Sequence, residues 1–398
     1  METNGALSNL RVLDLTRVLA GPFCTMILAD MGAEVIKIEI PESGDDSRQY
    51  APFVNGESLY FANLNRSKKS VTLNLKKKEG KELFLKMVKE ADIVVENYRP
   101  GVMDRLGLSY EVLREANEKI IYAAISGLGA YGRYSDRPGY DIIAQAMGGI
   151  MSLTGWPETG PTRSGNALGD VMGGLNCAIG LLAAVNSRNV TGQGQRIDIS
   201  LVDGIVASLE NSIERYLAYG KLPERSGNRY TTLYPYDSFE AKDGWFVLGC
   251  GNQKLWEICC QVMGREDLIT DERFLTGPMR NDRWQELRPI INDWSRTFLV
   301  EDIVDRLLAA GVPAAPIYDL ERLLHDEHIA KDREMFVDVK HPVIGDMVVI
   351  GNAVKMMGTK NEVRWPAPAL GQHTDEIYQD IFGLSETELA ELKQKGAV

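Results

Sequence analysis

The sequence has few histidines and cysteines, and it lacks several short catalytic motifs. Its 398 residues include four histidines and five cysteines, with no C-x-x-C pair and no G-x-S-x-G, P-loop or H-E-x-x-H motif. Serine-hydrolase and zinc-hydrolase chemistry therefore have no support. His325 and His328 have no third ligand nearby, so this pair favours a solvated helix end over a metal site. We expect no bound metal.

Neither the cysteines nor the apolar runs point to secretion or to a membrane. The cysteines are odd in number and lie mostly in apolar stretches, which predicts buried, reduced thiols at Cys24, Cys177, Cys250, Cys259 and Cys260. No apolar run approaches the roughly 20 residues that span a bilayer, and the first residues lack the basic region of a secretory signal. We therefore expect a cytoplasmic protein without membrane association.

The charge of the chain is acidic, with one basic segment. A formal net charge of −12 argues against binding to nucleic acid, which depends on clustered Lys and Arg. Residues 66–81 nevertheless hold seven basic side chains and one acidic side chain. Such a segment is usually a solvated surface. In an acidic protein it also suits a small anionic ligand, and the sequence leaves both interpretations open.

The first 200 residues alternate between short β-branched runs and helical stretches. The predicted strands are apolar almost throughout, and they cover residues 11–15, 34–40, 71–75, 92–96, 119–125 and 196–200. Strands of this kind are covered on both faces, which is typical of a parallel sheet wound with helices. The sequence therefore predicts an α/β fold with a doubly wound, Rossmann-like parallel sheet.

The length of the chain favours two domains, or one large domain with an excursion. We assign residues 1–200 to a large α/β domain and residues 201–224 to a linker, which consists of a long helix from Val202 to about Tyr219 and a loop. A smaller α+β domain follows at residues 225–330. The last segment, residues 331–398, ends in a helix that a capping box of Ser385 and Glu388 begins.

A glycine-rich segment, Gly127-Leu-Gly-Ala-Tyr-Gly132, follows a predicted strand and matches G-x-G-x-x-G. A dinucleotide site also requires a helix that begins at these glycines, because its amides hold the pyrophosphate. The residues that follow, Arg-Tyr-Ser-Asp-Arg-Pro-Gly, are not typical of a helix. We therefore favour a plain glycine loop over a dinucleotide site.

Asp170 is a lone carboxylate among small or apolar residues in the segment 165–174, Gly-Asn-Ala-Leu-Gly-Asp-Val-Met-Gly-Gly. An aspartate before a helix is usually an N-cap, and we expect a helix after Val171 that ends near Arg188. The same position suits chemistry, because amide donors and the helix dipole would keep the carboxylate ionised. Small neighbours would also let a bulky electrophile approach.

Several segments together resemble the class III coenzyme A transferases, the formyl-CoA and carnitine CoA-transferase family. Each segment is short, but they occur in order over nearly the whole chain. They include Thr16-Arg-Val-Leu-Ala-Gly-Pro22, residues 32–39 with Gly44, Asp45 and Arg48, Glu96-Asn-Tyr-Arg-Pro-Gly101, Ala167-Leu-Gly-Asp170, Thr191-Gly-Gln-Gly-Gln195 and Leu370-Gly-Gln-His-Thr-Asp-Glu376.

The resemblance implies that Asp170 is a nucleophile that carries CoA as an aspartyl thioester, reached through mixed anhydrides. Acyl-CoA and a short carboxylic acid, such as oxalate, formate, acetate or succinate, would be the substrates, with no tightly bound cofactor. Arg48 would contact the acid, and Gly249 and Gly251 would belong to a glycine loop that covers the intermediate. The implied CoA contacts are Val18, Ala20, Leu73, Asn74, Leu75, Lys76, Asn97, Tyr98, Arg99, Arg105, Tyr140 and Asp141, with Lys76 and Arg105 at the phosphates.

The resemblance also implies how the chain is assembled. Both ends of the chain would build the large domain, so that residues 331–398 return to it, and two chains would interlock as a homodimer. Formyl-CoA transferases have glutamine where Leu19 stands and arginine at the position of Ile40, so some CoA contacts differ here.

Two alternatives to a transferase remain. Racemases of 2-methylacyl-CoA resemble the same family but have a Gly-His-Asp triplet, whose histidine transfers protons. This chain has Gly139-Tyr140-Asp141, and tyrosine is a poor base near neutral pH. The second alternative is a noncatalytic protein that binds CoA, or a nucleotide-binding dehydrogenase. We favour CoA transfer over both.

Overall fold

The chain folds into two compact units. The computed structural model describes residues 5–398. The first unit contains the chain up to Met151 together with Arg163–Leu217 and His328–Val398, and the second contains Ser152–Thr162 and Ala218–Glu327.

The strands are short, as expected for an α/β protein. In chain order they are β1 Arg11–Asp14, β2 Glu34–Glu39, β3 Phe53–Val54, β4 Glu57–Ser58, β5 Lys69–Thr72, β6 Ile93–Glu96, β7 Ile121–Ser126, β8 Arg196–Ser200, β9 Tyr236–Glu240, β10 Trp245–Gly249, β11 Ala314–Pro316, β12 Phe336–His341 and β13 Gly345–Ile350.

The helices vary from single turns to one of 24 residues. In chain order they are α1 Ala20–Asp30, α2 Leu59–Leu64, α3 Lys78–Lys89, α4 Val102–Leu106, α5 Tyr110–Ala116, α6 Asp141–Met147, α7 Ile150–Leu153, α8 Leu168–Thr191, α9 Leu201–Ala207, α10 Ser212–Tyr219, α11 Gln253–Met263, α12 Asp267–Thr270, α13 Gly277–Asp282, α14 Trp284–Ser295, α15 Val300–Ala309, α16 Leu320–His325, α17 Thr374–Glu376 and α18 Glu386–Gln394.

The first unit is built on a six-stranded sheet with the strand order β5-β2-β1-β6-β7-β8. Every pair of neighbouring strands is parallel, so the predicted parallel α/β sheet is confirmed. The chain leaves β1 toward β2 and β5 on one side and then returns to β6 on the other. The topological switch point therefore lies between β1 and β6, where α/β proteins usually bind their ligands.

Both faces of this sheet are covered by an apolar core. Val12 and Leu13 are neighbours in β1, and both are fully buried, but they belong to different core clusters. Alternate residues of a strand point to opposite faces, so one cluster lies on each side. Phe84 of α3 packs on one face and Leu181 of α8 on the other. Full burial of each such side chain contributes roughly 1.5–3 kcal/mol.

Helix α8 begins earlier than we predicted. Its first residue is Leu168, so Asp170 is the third residue of the helix and not its N-cap. The cap position is Ala167, whose side chain makes no capping hydrogen bond.

By length and composition α8 is also apolar enough to span a membrane, although the sequence shows no continuous apolar run of that length. In this structure it packs against α1 and the strands β7 and β8, as a helix that covers a sheet does.

The single long helix predicted from Val202 to Tyr219 is wrong. Two helices, α9 and α10, occupy this stretch. Glu210 lies between them with a φ of +55°, and a residue in the left-handed region interrupts the helical hydrogen-bond ladder.

The second unit has a three-stranded antiparallel sheet with the order β11-β10-β9. Its core is formed by the inner face of this sheet, including Phe239 and Phe246, and by helices such as α11. Trp256 of α11 is fully buried in this core. The strand that we predicted at 246–249 is part of β10.

The cysteines are all free and buried, as predicted.

The glycine segment at 127–132 forms a loop, as predicted, since the next helix, α6, begins only at Asp141. Glycine is required at position 127 by close backbone packing and not by a dinucleotide. A Cβ at this position would lie 2.5 Å from the Cα of Gly139, so the two backbones pack directly against each other.

Candidate active site

A cavity of about 630 Å³ lies in the first unit at the carboxyl ends of the central strands. It is lined by the residues that follow β1, β2, β5, β6 and β7 and by the start of α8. This is the switch point of the sheet. Of the predicted site residues, the cavity lining includes Val18, Ala20, Leu73, Asn74, Leu75, Lys76, Asn97, Tyr98, Arg99, Tyr140 and Asp170.

Asp170 differs from the other carboxylates that line the cavity. Glu39, Asp45 and Asp46 form ion pairs with Arg48, Lys37 and Arg17, respectively. Within residues 5–398, no salt bridge or side-chain hydrogen bond reaches the carboxylate of Asp170. Among the carboxylates that line the cavity in residues 5–398, Asp170 is therefore the one without an ion-pair partner.

Burial and, to a smaller extent, the nearby negative charge of Asp141 raise the pKa of Asp170 to about 7. We expected the amides and the dipole of α8 to keep this carboxylate ionised at all times. In the structure the loss of hydration outweighs that effect, because removal from water disfavours the charged form. Asp170 therefore titrates near neutral pH.

The loop after β1 forms one wall of the cavity and is held in an unusual conformation. Val18 has a φ of +68°, which is a genuine outlier for a β-branched residue. Asn97 holds the preceding residue, since its side chain accepts from the Arg17 N–H at 2.8 Å and donates to the Arg17 carbonyl at 2.7 Å. Asp45 accepts from the Val18 N–H at 3.1 Å. These bonds fix the wall beside the switch point.

Two buried ion pairs hold the residues at the start of this loop. Lys37 of β2 donates to Asp45 at 2.8 Å and to the Thr16 carbonyl at 2.9 Å. Lys68 donates to Asp14, at the end of β1, at 3.0 Å. All four charged side chains are buried. Charges taken out of water this way are tolerated only when they are paired and hydrogen-bonded.

The basic segment 66–81 is divided between the core and the surface. Arg66 and Lys68 are buried and paired with Asp30 and Asp14. They therefore contribute to the core, which neither of our two interpretations of the segment anticipated. Of the seven basic side chains, only Lys76 lines the cavity.

Three cationic side chains line the cavity without an ion-pair partner in the described part of the chain. They are Lys76, Arg99 and Arg137. The guanidinium of Arg137 lies over the ring of Tyr134, at 3.9 Å from its centroid. Cations that line a cavity without an ion-pair partner suit an anionic ligand, such as one with phosphate groups.

Four other predicted contacts lie away from the cavity lining. Arg105 is exposed on α4. Arg48, predicted to contact the acid, instead donates to both oxygens of Glu39 at 2.8 and 2.7 Å. Gly249 and Gly251 line a separate cavity of about 470 Å³ in the second unit.

Asp141 also lies outside the cavity lining, and its carboxylate is bonded to the backbone of Gly169 at 2.7 Å. Leu19 and Ile40, where the chain departs from formyl-CoA transferases, both line the cavity.

Tyr60 of α2 is a residue near Asp170 that the sequence does not predict. Burial and, to a smaller extent, the negative charge of Asp170 raise the pKa of Tyr60 to about 12. The phenol therefore lies within electrostatic range of the Asp170 carboxylate. No pattern in the sequence relates residues 60 and 170, because only the folded chain brings α2 near the start of α8.

Metal binding has no support at this site. Within residues 5–398 there is no group of three His, Cys, Asp or Glu side chains placed to hold a metal ion. His325 and His328 are both exposed.

The fold and the site together define an α/β protein with a cavity at the switch point of its sheet, which an unpaired carboxylate and three unpaired cations line within residues 5–398. A sequence model of the CoA-transferase family III matches residues 7–374. The chain is 42% identical, over 386 residues, to a succinyl-CoA:mesaconate CoA-transferase from Haloarcula hispanica, covering 94% of this chain and 96% of that protein. It is 41% identical, over 370 residues, to an acetyl-CoA:oxalate CoA-transferase from Acetobacter aceti, with coverage of 92% and 94%.

Solved structures agree with these relatives. A CaiB/BaiF family protein from Brucella suis superposes with a TM-score of 0.84 at 36% identity, covering 95% of this chain and all of that one. The chain belongs to the class III CoA-transferase family and is an enzyme that transfers CoA. The predicted resemblance is thus confirmed, and CoA thioesters are the substrates on which such transferases act.

Proposed function

We propose that this enzyme moves CoA from a short acyl-CoA to oxalate or a short dicarboxylic acid, with Asp170 as the nucleophile. The observation that carries the proposal is the unpaired state of Asp170 beside three paired carboxylates. The relatives named above act on mesaconate and oxalate, which supports this class of acid.

The reaction begins with an attack of the Asp170 carboxylate on the carbonyl carbon of the donor thioester. The carbon–sulfur bond breaks, the CoA thiolate leaves, and a mixed anhydride forms. The thiolate then attacks the Asp170 carbonyl of the anhydride, which releases the donor acid and leaves an aspartyl-CoA thioester. The activation of the acyl group is conserved, because water takes no part.

The second half of the reaction repeats these steps in reverse order. The acceptor carboxylate attacks the aspartyl thioester, releases the thiolate and forms a new anhydride. The thiolate attacks the acceptor's carbonyl, so that the new acyl-CoA leaves and the Asp170 carboxylate is restored.

Tyr60 lies near enough to Asp170 to interact with it electrostatically.

Binding of CoA follows from the lining of the cavity. We assign the phosphates to Lys76, Arg99 and Arg137, because these cations line the cavity and form no ion pair within residues 5–398. Val18, Ala20, residues 73–75, Asn97, Tyr98 and Tyr140 would surround the rest of the carrier. We do not assign Arg105 to the phosphates, because it lies outside the lining of the cavity.

The proposal is tested by incubating the enzyme with a panel of acyl-CoAs and acids and following new thioesters by mass spectrometry. Asp170→Ala abolishes exchange while CoA still binds, because only the nucleophile is lost. Asp346→Ala, an exposed carboxylate on β13, is the matched control and retains exchange.

Normal exchange by Asp170→Ala would contradict the assignment. So would exchange of the α-proton with deuterium from solvent in the absence of thioester exchange, because that result would indicate a racemase-like isomerase.

We also propose that the chain forms a homodimer. Several large apolar side chains of the first unit are exposed, including Leu175 and Ile179 on α8 and Leu217 on α10, at 39%, 66% and 75%. Leu175 and Ile179 are four residues apart and lie on the same face of α8, and a contiguous exposed apolar patch usually marks an interaction site.

A further inference from the structure

Gln145 is a buried amide at the centre of a polar cluster near the start of α8. It lies on α6 and is fully buried. Its Nε2 donates to Oδ2 of Asp141 at 2.8 Å, and its Oε1 accepts from the Ser164 N–H at 2.9 Å. A third, longer bond of 3.4 Å runs from Nε2 to the carbonyl of Asn166. The side chain thus connects α6 to the segment that leads into α8.

Asp141 links Gln145 to α8 through a second hydrogen bond. Its second oxygen, Oδ1, accepts from the N–H of Gly169 at 2.7 Å. The first amides of a helix need partners from outside the helix, and the cap residue of α8, Ala167, supplies none from its side chain. Asp141 therefore caps α8 from a neighbouring helix, at the residue directly before Asp170.

The contact between the two helices leaves little room for adjustment. A Cβ at Gly169 would lie 3.1 Å from Oδ1 of Asp141 and 3.3 Å from the Cβ of Ala144. Because the helices approach this closely, a shift of the Asp141 carboxylate moves the backbone that carries Asp170.

On the basis of the proposed function, we infer that Gln145 is a positioning residue for the nucleophile. It orients Asp141, and Asp141 holds the first turn of α8 so that the Asp170 carboxylate points toward the thioester. Gln145 itself lies outside the lining of the cavity, so it acts through Asp141 and not by contact with the substrate.

The arrangement also places a like charge beside the nucleophile. Asp141 raises the pKa of Asp170. Asp170 in turn contributes to the raised pKa of Tyr60, so Tyr60 also interacts with it electrostatically. Asp141 therefore affects both the position of Asp170, through Gly169, and its pKa, although burial affects the pKa more.

The test compares the rate at which the Asp170 thioester forms in the intact enzyme and in Gln145→Met. Enzyme is mixed with acyl-CoA without acceptor, quenched at short times, and the adduct is measured by mass spectrometry. We expect the rate to fall at least about tenfold, because small displacements of a reacting group are costly in rate. The KM for acyl-CoA stays within about twofold, because the CoA contacts are intact.

Gln261→Met, at an exposed position of α11, is the matched control and keeps the rate of the unaltered enzyme. An unchanged rate in Gln145→Met would overturn the inference. If the unaltered enzyme forms no adduct at Asp170, the proposed function fails, and this inference fails with it.

If Gln145→Met does not fold, Asp141→Asn decides the question. Its Oδ1 still accepts from the Gly169 N–H, but its Nδ2 meets the Nε2 donor of Gln145. The bond to Gln145 is therefore lost together with the charge, and the acidic limb of the pH–rate profile moves to lower pH. A role limited to folding would leave the profile unchanged, and a superposable profile would overturn the inference.

Discussion

The environment of Asp170 determines the pH range in which it can act. Its pKa lies at about 7 because of burial and the charge of Asp141, compared with about 3.9 for a free aspartate. Below pH 7 the carboxyl group is largely protonated, and a neutral carboxyl group is a poor nucleophile. Above pH 7 the anion prevails. With Asp170 as the proposed nucleophile, we therefore expect a fraction of the enzyme to be inactive at neutral pH.

We predict that kcat/KM rises with pH and reaches a plateau above an apparent pKa of about 7. The rise reflects ionisation of Asp170 in the free enzyme. The measurement is initial exchange rates at constant ionic strength with two acceptor acids that differ in acidity. An acidic limb near pH 4 with both acids would show that the environment does not raise the pKa of the nucleophile.

Lys76 and Lys77 are neighbours in the chain but differ in their surroundings. Both are exposed, and only Lys76 lines the cavity. We predict that Lys76→Ala raises the KM for acyl-CoA about five- to tenfold, as loss of one charge-assisted phosphate contact does. Lys77→Ala is the matched control and leaves the KM within about twofold. Equal effects of the two substitutions on steady-state kinetics would remove Lys76 from the phosphate site.

Strand β2 carries the buried charge that supports the loop after β1. Lys37 is fully buried and forms an ion pair with Asp45. Asp45 in turn accepts a hydrogen bond from the N–H of Val18. The pKa of Asp45 is held well below its usual range, although burial opposes this, because Lys37 and hydrogen bonds favour the anion. One strand position thus connects the stability of the sheet to the shape of the cavity wall.

We predict that Lys37→Met lowers the free energy of unfolding by about 3–5 kcal/mol, because Asp45 stays buried without its cation. Lys78→Met provides the comparison, since Lys78 forms an exposed pair with Glu82 at 3.6 Å. Its loss costs at most about 0.5 kcal/mol. Urea unfolding monitored by circular dichroism measures both, and similar midpoints for the two variants would contradict the role of the buried pair.

The parallel sheet was predictable because its strands are continuous apolar runs. Asp170 could also be singled out, since it is alone among small residues. The left-handed conformation of Val18 and the pairing of Lys68 with Asp14 could not be predicted, because they depend on contacts between residues far apart in the chain. For the same reason Tyr60 and Gln145 gave no signal. Arg66 and Lys68 lie in the core, whereas the sequence left them either on a solvated surface or at a site for an anionic ligand.

At the scale of the whole molecule, the exposed apolar surface of α8 requires an explanation. We predict that sedimentation velocity shows a dimer at micromolar concentration. Ile179→Lys weakens self-association at least about tenfold, because a charge would have to be buried. Glu391→Lys, at an exposed position of α18, is the control and leaves the dimer intact. A monomer in the unaltered protein, or no effect of Ile179→Lys, would contradict the proposal.

The central claim is that Asp170 carries CoA covalently during each turnover. The most direct measurement is to incubate the enzyme with acyl-CoA alone, reduce it with borohydride, and map the peptides by mass spectrometry. We predict reduction of the Asp170 side chain to an alcohol, confined to the peptide that contains it and absent without acyl-CoA. An unmodified Asp170 peptide in an enzyme that exchanges CoA at its normal rate would contradict the account.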